Sequence, residues 1–424
     1  MKHPVKTLAA LALVGAVAPA FAVSIKDDQM SLAIKGVVQG RAELLNNGSN
    51  ATGGDYDPLR GTNGDAEAVR FDARRARFGL EAKMGDWKAV LTIRAEKNDT
   101  TGSAGGSSFI DPGATANGGA ATSNANRGLQ LYYANIQRSF KLDDGVALAV
   151  RGGLDKAYNA ESSISSSAFL FSSDTVVDER IEQRNLGVGS TLTSPFINAG
   201  FDIQNNSTTT KDGDASAANQ KNGMFYSARL EFSPVAEWMP AKKVQSFVGK
   251  EGTHLVIGAD VQMDDKNLNG AAAAAGGTYV STKTVAYGPD VLFHWNGLTA
   301  YGEFRMSKAN RDVVAGAALA DVKGRFWNIQ AGYAMPVFDI VIEPAIRFSK
   351  VDSDTGVTNT NTGYNAGAAG GAIDNGGDGR TIDIGVNLYF DGHNNKLGIA
   401  LQSWKAEAGS ADASIIRIQQ QISF

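Results

Sequence analysis

Few residues in this chain have the types and spacing that chemistry requires. His254 with Asp260, and His294 with Asp290, lie an even number of residues apart, so each pair shares one face of an extended strand. A histidine beside a carboxylate is half of a hydrolytic site, and the other half would be a serine within hydrogen-bond reach. Asp265, Asn267, Asn269 and Gly270 match the first half of a calcium loop, but Gly276 stands at the twelfth position, where a bidentate carboxylate makes the affinity. That stretch reads as a turn-forming loop. No phosphate-cradling GxxxxGK[ST] loop, HExxH pair, GxSxG elbow or zinc spacing occurs. The absence of cysteine removes thiol chemistry, thiolate metal sites and disulfides. No catalytic residue, metal or cofactor is expected, and 40 Lys+Arg against 44 Asp+Glu argues against a nucleic-acid partner.

The regular signal lies in the charges. Arg75, Arg77, Glu81 and Lys83 share one parity while Ala76, Phe78, Leu80 and Ala82 hold the other. Lys88, Arg94 and Glu96 oppose Trp87, Leu91 and Ile93 in the same way, and Asp339, Glu343 and Arg347 oppose Phe338, Ile340 and Ile346. Only 128–140 settles on neither parity. A soluble protein would have to bury the apolar faces of so many strands in several separate sheets. A wide barrel instead turns its apolar face to lipid and its charged face to a water-filled lumen.

The elements that must carry these residues are strands. Alternation of period two returns in sixteen stretches, the first at 32–45 and the last at 414–424. Their connections alternate in length: Gly85-Asp86, Ser194-Pro195 and Asn296-Gly297 are tight, whereas 46–65, 98–127 and 351–379 are long and rich in Gly, Ala, Ser, Thr, Asn and Asp. Short turns at one end and long loops at the other are the outer-membrane barrel pattern. Two connections break it: 233–252 is long where a turn belongs, and 406–413 is short where a loop belongs. Trp87, Phe140, Phe196, Phe232, Phe390 and Phe424 fall beside short turns, where an interfacial girdle belongs.

At the start of the chain, Lys2 and Lys6 precede an apolar run from Thr7 to Val17, and Ala20 and Ala22 flank Phe21. This is the pattern of a signal peptide over 1–22 cut after Ala22, leaving 23–424 as one domain. The expected fold is all-β: a transmembrane antiparallel β-barrel of sixteen strands, with short periplasmic turns and long extracellular loops, in a bacterial outer membrane.

Particular stretches then reach a family. Phe71-Asp72-Ala73-Arg74-Arg75-Ala76-Arg77-Phe78-Gly79-Leu80-Glu81, running on to Gly85-Asp86-Trp87, resembles the second hairpin of the phosphate-selective porin O and P family. Arg151-Gly152-Gly153-Leu154-Asp155-Lys156, Asp178-Glu179-Arg180 and Asn185-Leu186-Gly187-Val188-Gly189 continue the resemblance in order. It implies a sixteen-stranded barrel, usually a homotrimer, through which small anions diffuse. The end of the last strand, with Ile416, Ile418 and Ile422 in register with Phe424 and interrupted by Gln420, resembles the signal read by the outer-membrane assembly machinery.

The inward parities give the candidate site. Lys35, Arg41, Arg75, Arg77, Lys88, Arg94, Arg151 and Arg417 form a basic wall, continuous because the last strand closes on the first. Asp260, Asp290, Glu303, Asp339, Glu343 and Asp383 form an opposing acidic wall, with Arg305 and Arg347 among them. Walls of charge set ion preference. The connection 155–184 is the candidate constriction loop folded into the lumen, carrying Glu161, Asp174, Asp178, Glu179 and Arg180, with Phe169-Leu170-Phe171 to pack against a wall. Lys156 and Arg180 are its cations, against the lysine cluster that the phosphate-selective members resemble one another in. The loop is net acidic, so the expected function is passive diffusion of small hydrophilic solutes and ions through a water-filled pore, general or weakly anion-selective in preference to phosphate-selective, with phosphate kept as one candidate solute. Alternatives are a plugged barrel serving as a surface adhesin, or a barrel-wall hydrolase.

Overall fold

The computed structural model describes residues 24–26, 30–47, 55–57, 62–64, 67–94, 130–158, 170–171, 184–205, 224–240, 243–248, 252–268, 280–313, 322–353, 379–406 and 413–424. The expected leader over 1–22 lies outside them.

Sixteen strands make the wall: β1 (Met30–Asn47), β2 (Glu67–Met84), β3 (Trp87–Arg94), β4 (Gln130–Asp143), β5 (Val146–Lys156), β6 (Arg184–Thr193), β7 (Ile197–Asn205) and β8 (Met224–Phe232), followed by β9 (Thr253–Leu268), β10 (Val280–Trp295), β11 (Leu298–Val313), β12 (Val322–Tyr333), β13 (Ile340–Ser353), β14 (Gly379–Asp391), β15 (Asn395–Ala406) and β16 (Ala413–Ser423). Each pairs antiparallel with its neighbour in sequence, and β16 pairs with β1 from Val37↔Ser423 to Asn47↔Ala413. The sheet therefore closes and leaves no edge, which is what lets a β-structure sit in lipid. Ser24–Lys26 adds a short strand on the start of β1, Met335–Val337 prolongs β12 along β13, and Asp55–Asp57 pairs with Thr62–Gly64.

The outer face is apolar. Phe201, Leu230 and Ile257 on β7–β9 and Ile329, Ile346, Ile384 and Leu401 on β12–β15 stand exposed, an apolar surface far larger than a soluble monomer carries. Toward the short turns the exposed side chains become aromatic: Trp87, Phe140, Phe196, Phe232, Trp295, Tyr333 and Phe390. Arg138 lies over the rings of Trp87 and Phe140, a cation held at the polar edge of this belt. Phe424 closes the seam by exchanging backbone bonds of 2.8 and 3.0 Å with Gly36, and its ring lies where any Cβ at Gly36 would be.

Two irregularities explain local exceptions to the parity rule. On β4, Ile93↔Leu131 and Thr92↔Tyr133 leave Tyr132 as an extra residue. This bulge turns Tyr132 inward between the exposed Leu131 and Ile136, which is why 128–140 follows neither parity. A second bulge on β2 leaves Arg74 unmatched between Gly40↔Ala73 and Gln39↔Arg75.

The calcium-like stretch belongs to a strand. Asp265 to Leu268 continue the β9 ladder against β10, from Asp265↔Lys283 to Leu268↔Val280, and an extended paired backbone cannot wrap an ion. Asn269 and Gly270 lie outside the described residues.

Candidate pore and its lumenal walls

The basic residues of the early strands are brought together by register. Odd positions of β1, odd positions of β2 beyond its bulge and even positions of β3 face the lumen, so Lys35, Lys83 and Lys88 converge on Glu81 at 2.6, 3.2 and 3.4 Å. Three ammoniums against one carboxylate leave a net positive cluster near the short-turn mouth. Lys35 and Lys83 keep more than half of their side chains exposed. Farther along the same wall, the Arg77 and Arg94 guanidinium carbons lie 4.0 and 5.1 Å from the centroid of the Tyr132 ring. The bulge thus supplies the π face on which both cations rest. Arg75 sits opposite Gln39 in the β1–β2 ladder.

The other candidates of the basic wall are engaged by carboxylates. Arg417 Nε donates to Glu43 at 2.7 Å, and Arg41 lies 3.3 Å from the same carboxylate, so the β16–β1 seam carries a buried triad. Arg151 donates to Asp155 at 2.7 Å and to Asp202 at 2.6 Å.

The opposing arc alternates in sign. Arg305 donates through both terminal nitrogens to Asp260 at 2.7 and 2.6 Å, and lies 3.6 Å from Glu303. Arg229 grips Asp290 at 2.6 and 2.8 Å and also bonds Glu231 at 2.8 Å. Arg347 Nε donates to Asp383 at 2.8 Å. Glu343 accepts bonds from Ser246 at 2.7 Å, Asn387 at 3.0 Å and the Tyr389 hydroxyl. Asp339 differs from its expected place on a strand: it is exposed in the two-residue turn before β13, where Phe338 takes a positive φ of 55° to reverse the chain. Lys83, Glu81, Arg229, Glu231, Asp202 and Glu43 were not among the expected wall residues, although each stands at an inward parity that the sequence already shows.

The histidine pairs do not form as pairs. His254 and His294 face each other in register, their ring centroids 5.8 Å apart, while Asp260 and Asp290 are held by arginines.

Of the candidate constriction loop, the described residues are those at its root and Leu170 with Phe171. Ala157 is fully buried, and the Tyr158 amide donates to Asp202 at 2.7 Å and to Ser227 at 3.0 Å. Leu170 and Phe171 lie against Ala345 and Ala400, on β13 and β15. The Leu170 carbonyl accepts from Asn387 at 2.7 Å, and Arg347 stands 5.0 Å from the centroid of Phe171. Glu161, Asp174, Asp178, Glu179 and Arg180 lie outside the described residues.

A closed sixteen-strand barrel with an apolar outside and charged inside can be compared with solved structures. An anion-selective porin from Comamonas acidovorans superposes with a TM-score of 0.53 at 13% identity, covering 93% of this chain and 100% of that one. The chain has the fold of the outer-membrane porins. Pseudomonas putida OprB gives a TM-score of 0.55 at 13% identity over 92% of this chain and 94% of that chain. OmpT, an outer-membrane protein of Vibrio cholerae solved in a trimer form, gives 0.51 at 8% identity over 94% and 100%. No protein-family model matches the chain, and no curated protein matches it in sequence.

Proposed function

We propose that the protein is a bacterial outer-membrane porin, exported by a cleaved leader, through which small hydrophilic solutes and ions diffuse passively with a weak preference for anions. The observation that carries this reading is the Lys35, Lys83 and Lys88 cluster about Glu81, water-exposed on the inner face of a barrel whose outer face is apolar. Fixed charge in a narrow aqueous passage raises the local concentration of counter-ions, so an excess of ammonium groups favours anions over cations. A narrowing of the lumen by the candidate constriction loop is supported by Leu170 and Phe171, which lie inside the barrel beside Asn387 and Arg347. Phosphate is one solute that such a pore admits. The trimer of OmpT and the anion selectivity of the Comamonas porin support the corresponding proposals for this chain, a homotrimer and an anion-preferring pore.

The test is a planar bilayer under a potassium chloride gradient. Stable conductance steps with a zero-current potential of the sign set by chloride are the expected result. Absence of steps from folded protein overturns the pore and leaves a plugged barrel.

A further inference from the structure

We propose that the connection between β8 and β9 is a lumenal strap, which fills the short-turn half of the barrel along β7–β14 and leaves solutes a crescent against β2–β6 and the Lys35 end of β1. The proposal rests on the pore reading above and adds the route.

Other connections at that end are turns of two or three residues, such as 85–86, 144–145 and 194–196. This one turns inward. After the short 3-10 turn Ala236–Trp238, Lys243 pairs with Glu231 on β8, burial lowering its ammonium from the ordinary value while Glu231 opposes the shift. Beyond it, the Ser246 hydroxyl donates to Glu343 on β13 at 2.7 Å and lies 3.0 Å from the Tyr389 hydroxyl on β14. The Ser246 carbonyl lies 2.8 Å from His393 Nε2 in the turn after β14. A segment rooted on β8 and β9 that touches β13 and β14 has crossed the lumen. The Gln245 side chain meets the Leu170 amide at 3.1 Å, so strap and constriction loop join inside the barrel.

Two further observations agree. Val256, Leu292 and Tyr301 face inward yet form a dry cluster under Met239 and Phe247, and a water-filled lumen would give apolar side chains no reason to be there. Phe247 itself stacks between His254 and His294, with centroids 4.8 and 4.6 Å away. Exposure is also lopsided around the same end. Thr299 on β11 and Asn387 on β14 are at most 4% exposed, whereas Gln137, Ala149 and Thr191 on β4–β6 stay partly open and Lys35 and Lys83 are exposed. The charge left in the crescent is the lysine cluster, so the route favours small anions.

The chain contains no cysteine, so single-cysteine variants of the full protein read accessibility without background. The probe is 2-sulfonatoethyl methanethiosulfonate, with labelling followed by mass in detergent and by conductance in bilayers. Lys88→Cys should label and lose conductance. Thr299→Cys and Asn387→Cys should label at least about tenfold more slowly, as expected for groups reached only through local opening, with conductance unchanged. Replacing 236–250 by Asn-Gly should raise unit conductance and bring Asn387→Cys to the rate of Lys88→Cys. Equal labelling of all three sites in the full-length chain overturns the strap, as does unchanged conductance on shortening. If the shortened variant does not fold, the labelling contrast alone decides. If the unsubstituted chain gives no conductance, the pore reading fails while the detergent labelling still decides the strap.

Discussion

Arg229 on β8 reaches across β9 to Asp290 on β10, its terminal nitrogens 2.6 and 2.8 Å from the two carboxylate oxygens. The pair meets above Gly258, where an added Cβ would collide with both the guanidinium and the carboxylate. Breaking a buried ion pair costs more than never having had one, because the abandoned charge stays buried. Gly258→Val should therefore destabilise the barrel by about 3–5 kcal/mol, measured by urea unfolding in lipid vesicles. Gly152→Ala, whose Cβ would enter open space, is the neutral control.

The lysine cluster predicts a change of ion preference. Replacing Lys35, Lys83 and Lys88 together by Gln leaves Glu81 as the uncompensated charge of this group. The zero-current potential under a salt gradient should move toward the cation side, and an unchanged potential would place the selective step elsewhere.

The outer face predicts a depth-dependent penalty. Phe201 lies at the middle of β7 and faces out, so Phe201→Arg should cost about 2–4 kcal/mol, whereas Ile197→Arg beside the short turn should cost about 0–1 kcal/mol. Equal penalties at both sites would deny that lipid surrounds the middle of the strand.

The seam predicts a steric defect. Gly36→Leu would drive its side chain into the Phe424 ring. Loss of about 1–3 kcal/mol and a smaller fraction of heat-modifiable, folded protein on denaturing gels are the expected outcome; wild-type behaviour would show that the ring does not hold the β1–β16 seam.

The sequence by itself determined the wall. Strand existence, number, facing parity and the alternation of short and long connections follow from period-two patterning and turn residues, which are local properties of the chain. The charge excess on β1–β3 was legible for the same reason, since Lys35, Lys83 and Lys88 sit at inward parities whatever the rest of the barrel does. Even 233–252 stood out as too long for a turn.

Its direction was another matter. Nothing near Ser246 in the sequence says that Glu343, 97 positions away, will receive its hydroxyl, or that Phe247 will sit between two histidines from facing strands. The bulge that turns Tyr132 inward beneath Arg77 and Arg94 is equally invisible, because it depends on how β4 matches β3. The pairing of Arg229 with Asp290 needed three strands side by side and a glycine in the middle one. Parity fixes which face a side chain takes, a one-strand property. Which charges meet, and what fills the space between walls, is decided only when closure brings distant strands around one lumen.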